Sequence, residues 1–211
     1  MICFENGFVE ASLASEHVPC THHSIVITPP IHEGPPMTDL SIQSIVDDFK
    51  KGLNLNGLNS VFESNRELTS EDLIHKAKPE EYTKIRLIRP VLELLECDLD
   101  DAERIFDGPR GLKREVDYTF ISKAGLKYIL EAKPLNADLF ADNPQGGVNQ
   151  VLDALKLHDV VKEFDFGIAS DGFRWVFINS DRKVVANLDV NENLDTLRMI
   201  FHGDIRPEFD K

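Results

Sequence analysis

Residues 114–134 read REVDYTFISKAGLKYILEAKP. Two runs rich in Val, Tyr, Phe and Ile, residue types that suit a pleated, half-buried surface, flank the short KAG segment, which reads as a hairpin turn near Ala124. Pro134 lacks a backbone donor and stops the second strand. Side chains alternate along a strand, so Glu131 and Lys133 point to one face. A turn at Ala124 brings residue 117 opposite residues 131 to 133. A register that sets Asp117 against Glu131 or Lys133 places all three on that face, within side-chain reach.

Upstream, an apolar stripe of Ile85, Ile88, Val91, Leu92 and Leu95 predicts a helix from about Glu80 to Cys97. Pro90 lies inside it and predicts a kink or a break. A charged linker with a short strand near Ile105 joins this helix to the hairpin. Downstream, NPQGG opens a helix expected from Gly147 to Lys162, with a stripe of Val148, Val151, Leu152, Leu155 and Val160. FDFGIAS, FRWVFINS and KVVANLDV then read as three antiparallel strands, the first two joined by Asp171-Gly172, and NENLDTLRMIF as a closing helix. The order αβββαβ with extra C-terminal strands implies a mixed α/β fold, a central mixed sheet flanked by helices, over residues 80–211.

Residues 37–79 read as a helical N-terminal extension. MTDLSIQSIVDDFKKGL carries Leu40, Ile45, Val46 and Phe49 at helical spacing, GLNLNGLN reads as a break, and a polar stretch follows. Residues 1–36 lack periodicity, contain the breakers of TPPIHEGPP, and read as a flexible leader in which His22 and His23 are a solvated polar pair.

A chain of 211 residues, 42% hydrophobic, suits one compact domain with a tail. It holds no run of eighteen apolar residues that would span a membrane, and its start lacks the basic and apolar regions of a secretory signal. Cys3, Cys20 and Cys97 are odd in number and form no CxxC, which argues against a disulfide framework or a zinc site and fits a reducing cytoplasm. The net charge of −14 counts against free-standing DNA binding by bulk electrostatics. A site built of carboxylates that takes up a cation remains compatible with it.

The pattern (D/E)xK is expected by chance about once or twice in a chain of this length. It occurs here three times, at Asp48-Phe49-Lys50, Glu131-Ala132-Lys133 and Asp181-Arg182-Lys183. The first lies on an amphipathic helix and the third in a turn, where charges are solvated. The second ends an apolar strand beside Asp117. Hard divalent cations such as Mg²⁺, with Mn²⁺ as a substitute, take oxygen ligands and keep several waters. Asp117, Glu131 and the carbonyl of Ala132 could hold one, and Lys133 could orient a water and stabilise charge developing on a phosphoryl group. The plainer reading of the same residues is a cross-strand ion pair, worth about 0.2–1 kcal/mol.

The pieces EVDYTF, ILEAKP, a glutamine-bearing helix and FGIASDGFRWVF follow EEYTKIRLIRPVL in order. Together, over about residues 80–180, they resemble the N-terminal nuclease domain of type I restriction enzyme R subunits, a PD-(D/E)xK family. The resemblance implies a restriction-endonuclease-like fold that cleaves DNA with Mg²⁺. It places Asp117, Glu131 and Lys133 on the catalytic Asp, Glu and Lys, makes Glu80 a helper to the metal or the water, and makes Gln150 a polar contact to the metal shell or the DNA backbone. Two positions depart from the family: Val116 stands in place of the Pro, and Ala154 in place of a Tyr after the Gln. No GxxxxGK[ST] occurs, so an ATP-driven motor, and part of the DNA binding, would come from a partner protein. The alternative function is a catalytically inactive nuclease fold serving protein interaction or nucleic-acid sensing, and nothing in the residues separates RNA from DNA. Trp175 and Phe173 are expected in the core, Glu80 equally favours a helix start, and Lys84, Arg86 and Arg89 fit phosphate contacts and an ordinary charged helix face equally.

Overall fold

The order of secondary structure follows from where apolar period two gives way to period three or four. The computed structural model describes residues 39–100, 103–108, 111 and 113–207. The expected leader, with Cys3, Cys20, His22 and His23, lies outside them. Residues 37–211 form one compact unit. Its helices are α1 (Asp39–Lys50), α2 (Leu55–Glu63), α3 (Pro79–Thr83), α4 (Arg89–Leu94), α5 (Gly147–Ala154), α6 (His158–Glu163) and α7 (Val190–His202). Its strands are β1 (Asp98–Asp100), β2 (Arg104–Asp107), β3 (Lys113–Val116), β4 (Tyr118–Ile121), β5 (Lys127–Ala132), β6 (Phe166–Ser170), β7 (Arg174–Asn179) and β8 (Val184–Asp189).

Six strands form a mixed sheet in the order β1-β4-β5-β6-β7-β8, and β2 and β3 pair separately. Only β5 and β6 run parallel, and α5 and α6 supply the crossover that a parallel pair requires. The central position of β5 explains its composition: residues 128 to 132 are all buried. Tyr128, Leu130 and Ala132 face a core made with Ile88, Leu92, Trp175 and Phe201. Ile129 faces the other core, made with Val148, Val151, Leu155 and Ile178. By alternation, Glu131 and Lys133 lie on that second face, under α5.

Several expectations are corrected by the packing. REVDYTFIS is two strands, not one. β4 pairs with β5 through Tyr118↔Leu130 and stops, and β3 pairs with β2. The bend at Asp117 changes the face of what precedes it: Val116 packs in the core of Ile129, whereas an unbroken strand would give it the face of Tyr118. The helix expected over Gly147–Lys162 is interrupted at Leu157, whose backbone is extended, giving α5 and α6. GLNLNGLN acts as a break only in its first three residues: α1 ends at Lys50, and α2 resumes at Leu55, where Asn54 caps it by accepting from the Gly57 amide at 2.8 Å and Val61 is buried. Val61, Phe49, Leu53, Leu68 and Leu73 share a core with Leu87 and Leu135, so residues 39–79 pack directly on the helix and loop that frame β5.

Pro90 acts one turn earlier than its own position. Residues 84–88 form a π-helical turn between α3 and α4, in which the Arg89 amide donates to the Lys84 carbonyl. The widened turn shifts the helical phase. Ile85, expected in the apolar stripe, is half exposed, whereas Leu87 and Lys84 are buried.

Candidate functional site

The site forms where three elements meet at the C-terminal end of β5. The ladder between β4 and β5 ends one residue short of Asp117. A continued ladder would offer the Ala132 amide a backbone carbonyl. Instead, the Asp117 side chain takes the acceptor's place, and Ala132 N donates to Asp117 Oδ2 at 2.7 Å. The N–H and C=O of one strand residue project to the same side, so the Ala132 carbonyl faces the same edge as Asp117. On the other side, Lys133 N donates to the Ser170 carbonyl at 2.8 Å, which extends the β5–β6 pairing and fixes the backbone that carries Glu131 and Lys133.

The Glu131 and Lys133 side chains are nearly buried, and Lys133 Nζ lies 2.9 Å from Glu131 Oε1. The same ammonium reaches Glu80 Oε2 at 3.3 Å. Glu80 sits in the first turn of α3, where Pro79 suits the opening of a helix. Thr83 ties that helix to the end of β5: its Oγ1 accepts from Leu135 N at 3.2 Å and donates to the Pro79 carbonyl at 3.0 Å. From the opposite side, α5 starts directly over Lys133. A Cβ on Gly147 would lie 3.2 Å from Lys133 Cγ and 3.2 Å from Ala169 Cβ, so only the absence of a side chain lets the helix approach this closely.

Burial and the nearby Asp117 carboxylate push the Glu131 carboxyl up to about 7, against the pull of Lys133. Burial disfavours the Lys133 ammonium, but Glu131 and Glu80 outweigh that effect and hold it above its ordinary value. Glu131 is therefore a carboxyl near its midpoint at neutral pH, beside an ammonium that stays charged.

A second lysine completes the arrangement. Lys84 Nζ is 2.9 Å from Asp117 Oδ1, 2.9 Å from Glu103 Oε1 and 3.1 Å from Glu81 Oε2. Sequence reasoning placed Lys84 on a charged outer face and did not single out Glu81 or Glu103. A signal was present: Lys84 stands at i, with Ile88, Val91 and Leu95 at i+4, i+7 and i+11, on the inward stripe. Glu103 carried no such signal, because its proximity depends on the β2–β3 hairpin folding back.

Asp117, Glu131, Lys133 and Glu80 are thus brought together. Gln150 is placed on α5 one turn beyond Gly147. Its Oε1 is buried without a hydrogen-bond partner, and no bond joins it to the four. Phe173 is partly buried and Trp175 is fully buried, as expected for core residues. Asp171 belongs to turn chemistry: its carboxylate accepts from the amides of Phe173 and Arg174. The other two (D/E)xK triplets stay apart from this cluster: Asp48 pairs with Lys51 and Arg86, and Arg182 lies in the turn between β7 and β8 with a positive φ of 63°.

Among the described residues, no group of three or more His, Cys, Asp or Glu side chains is open to hold a metal ion, and the three carboxylates around Lys84 are taken by its ammonium. The donors at this end of β5, Asp117, Glu131 and the Ala132 carbonyl, are all oxygen. That suits a hard cation keeping several of its own waters, and not a zinc centre. Burial raises Glu131 most and repulsion by Asp117 adds to it, and a cation between them would offset both.

No protein-family model matches the chain, and no curated protein does. Among solved structures, the chain is similar to one described as a cryo-EM structure of a DrdV–DNA complex, with 18% identity and a TM-score of 0.40 over 81% of this chain. The matched region spans 14% of that much longer chain. Among the described residues, no helix is long and apolar enough to cross a membrane.

Proposed function

We propose that this chain is a Mg²⁺-dependent nuclease that hydrolyses DNA phosphodiester bonds. The observation that carries the reading is the convergence of Asp117, Glu131 and Lys133 at the end of β5. Asp117 is locked by the Ala132 amide, and Lys133 lies between Glu131 and Glu80. Asp117, Glu131 and the Ala132 carbonyl would hold the cation. When bound, Mg²⁺ supplies Lewis acidity toward a phosphoryl oxygen and makes a coordinated water easier to deprotonate. Lys133 donates to the attacking water and to the non-bridging oxygens on which charge develops. Glu80, more exposed and hydrogen-bonded by Lys133, is the acceptor available for the proton released. Gln150 brings an amide without a hydrogen-bond partner for its oxygen to the same face of β5. The likeness to type I restriction R subunit nuclease domains supports the same assignment, including a partner protein that delivers DNA to a chain of net charge −14.

The test is incubation with supercoiled plasmid, linear duplex and single-stranded DNA in Mg²⁺, Mn²⁺ or EDTA, beside Lys133→Ala and Asp117→Ala. Metal-dependent cutting that falls by about 10²–10³ or more in either variant is expected, the scale of losing one group that stabilises transition-state charge. Cutting that survives both substitutions would sink the assignment. Absence of both cutting and metal binding would favour the inactive interaction module.

A further inference from the structure

The environment of Lys84 is that of a cation-binding site filled by a side chain. Its ammonium has three N–H donors and meets three carboxylate oxygens, from Asp117, Glu103 and Glu81, at 2.9 to 3.1 Å. Its side chain is only 7% exposed. This position is built, not incidental. Lys84 opens the π-helical turn before Pro90 with its side chain buried, and the Tyr118 hydroxyl donates to the Lys84 carbonyl at 3.4 Å. The Tyr118 ring lies 5.9 Å from Nζ. Asp117 is shared between two neighbourhoods: Oδ1 faces Lys84, and Oδ2 faces the edge of β5 where Glu131 and the Ala132 carbonyl lie. Metal-dependent phosphodiester chemistry often uses two ions about 3.5–4 Å apart, clamped across the reaction centre. Here a fixed ammonium already occupies one side of Asp117.

We propose that Lys84 is a positioning residue that stands where a second divalent ion would sit beside Asp117, so that the site accepts one such ion. Lys84 also holds Asp117 in the orientation in which its other oxygen accepts from the Ala132 amide, next to Glu131 in the chain. The inference rests on the metal-site reading above, and the experiment separates the two.

The ions bound per chain are counted by titrating the full-length protein with Mn²⁺ and following free Mn²⁺ by electron paramagnetic resonance. One ion is expected for the wild type and for Lys84→Arg, which keeps the charge, and two for Lys84→Gln, which exposes three carboxylates to solution cations. Two ions in the wild type, or one ion in Lys84→Gln at unchanged affinity, would overturn the role of Lys84 and leave the nuclease reading standing. No ion in any of the three proteins would overturn both. Lys84→Gln leaves carboxylates facing one another, so its melting temperature is read with and without Mn²⁺. If it is unfolded in EDTA, Mn²⁺ is expected to restore a cooperative transition, and failure to do so overturns the proposal.

Discussion

Glu131 makes stability depend on pH in an unusual direction. Most carboxylates in folded proteins are easier to ionise than in the unfolded chain, and they add stability as pH rises. Glu131 is harder to ionise, because burial and Asp117 move it from 4.5 to about 7. Between those two pH values the folded state holds a proton that the unfolded state has released, so stability falls as pH rises through that window. Below it both states are protonated and nothing is lost; above it the loss is complete. Each tenfold difference in proton affinity between the two states is worth about 1.4 kcal/mol, so the whole effect is at most about 3 kcal/mol. For a chain of this size that is about 6–12 °C in melting temperature. Glu131→Gln keeps the shape and removes the titration. Urea unfolding followed by the fluorescence of the single, fully buried Trp175 gives both stabilities at pH 5, 6, 7 and 8. The wild type is expected to lose up to about 3 kcal/mol relative to Glu131→Gln between pH 5 and 8, most of it by pH 7. A difference that stays constant across this range would refute the account of Glu131 as a carboxyl strained by burial and by Asp117.

Two further predictions concern the scaffold. The π-helical turn makes Leu87 a core residue and Ile85 a surface one, so Leu87→Ala should cost about 2–5 kcal/mol and Ile85→Ala under about 1 kcal/mol in urea unfolding; the reverse order would show that the turn is not π-helical. Gly172 has a φ of +94°, and a Cβ there would lie 2.4 Å from Leu87 Cδ2, so Gly172→Ala is expected to lose about 2 kcal/mol or more of stability. A neutral effect would mean that the β6–β7 turn is looser than its geometry implies.

Five of the six strands of the mixed sheet were legible because their signals are local, whereas β1 lies in what reads as a charged linker and forms only by pairing with β4. β5 announces itself by the consecutive apolar residues Tyr128, Ile129 and Leu130, which suit burial on both faces, and Pro134 marks its end. β6, β7 and β8 are separated by turn residues whose conformations they require, Gly172 and Arg182 among them. The approximate register of the hairpin followed from the turn at Ala124, and Tyr118↔Leu130 carries it to the edge of Asp117. What failed were judgements that depend on competition between local and long-range forces. Asn54-Leu55-Asn56-Gly57 reads as a breaker, yet one cap hydrogen bond and the burial of Val61 outweigh the weak helix propensity of Gly and Asn. The break at Leu157 has no local marker of comparable strength.

The sequence by itself determined the class of the fold, and strand alternation and a short turn set Glu131 and Lys133 on one face and Asp117 near them within about twenty residues of chain. Only the tertiary structure decided that Asp117 leaves the ladder to bind the Ala132 amide, that Glu80 reaches Lys133 across 53 positions, and that Lys84 is buried among carboxylates from three separate segments. Those facts arise from contacts between distant segments, which leave no periodic trace in the chain, although the spacing of Lys84 with Ile88, Val91 and Leu95 already pointed it inward.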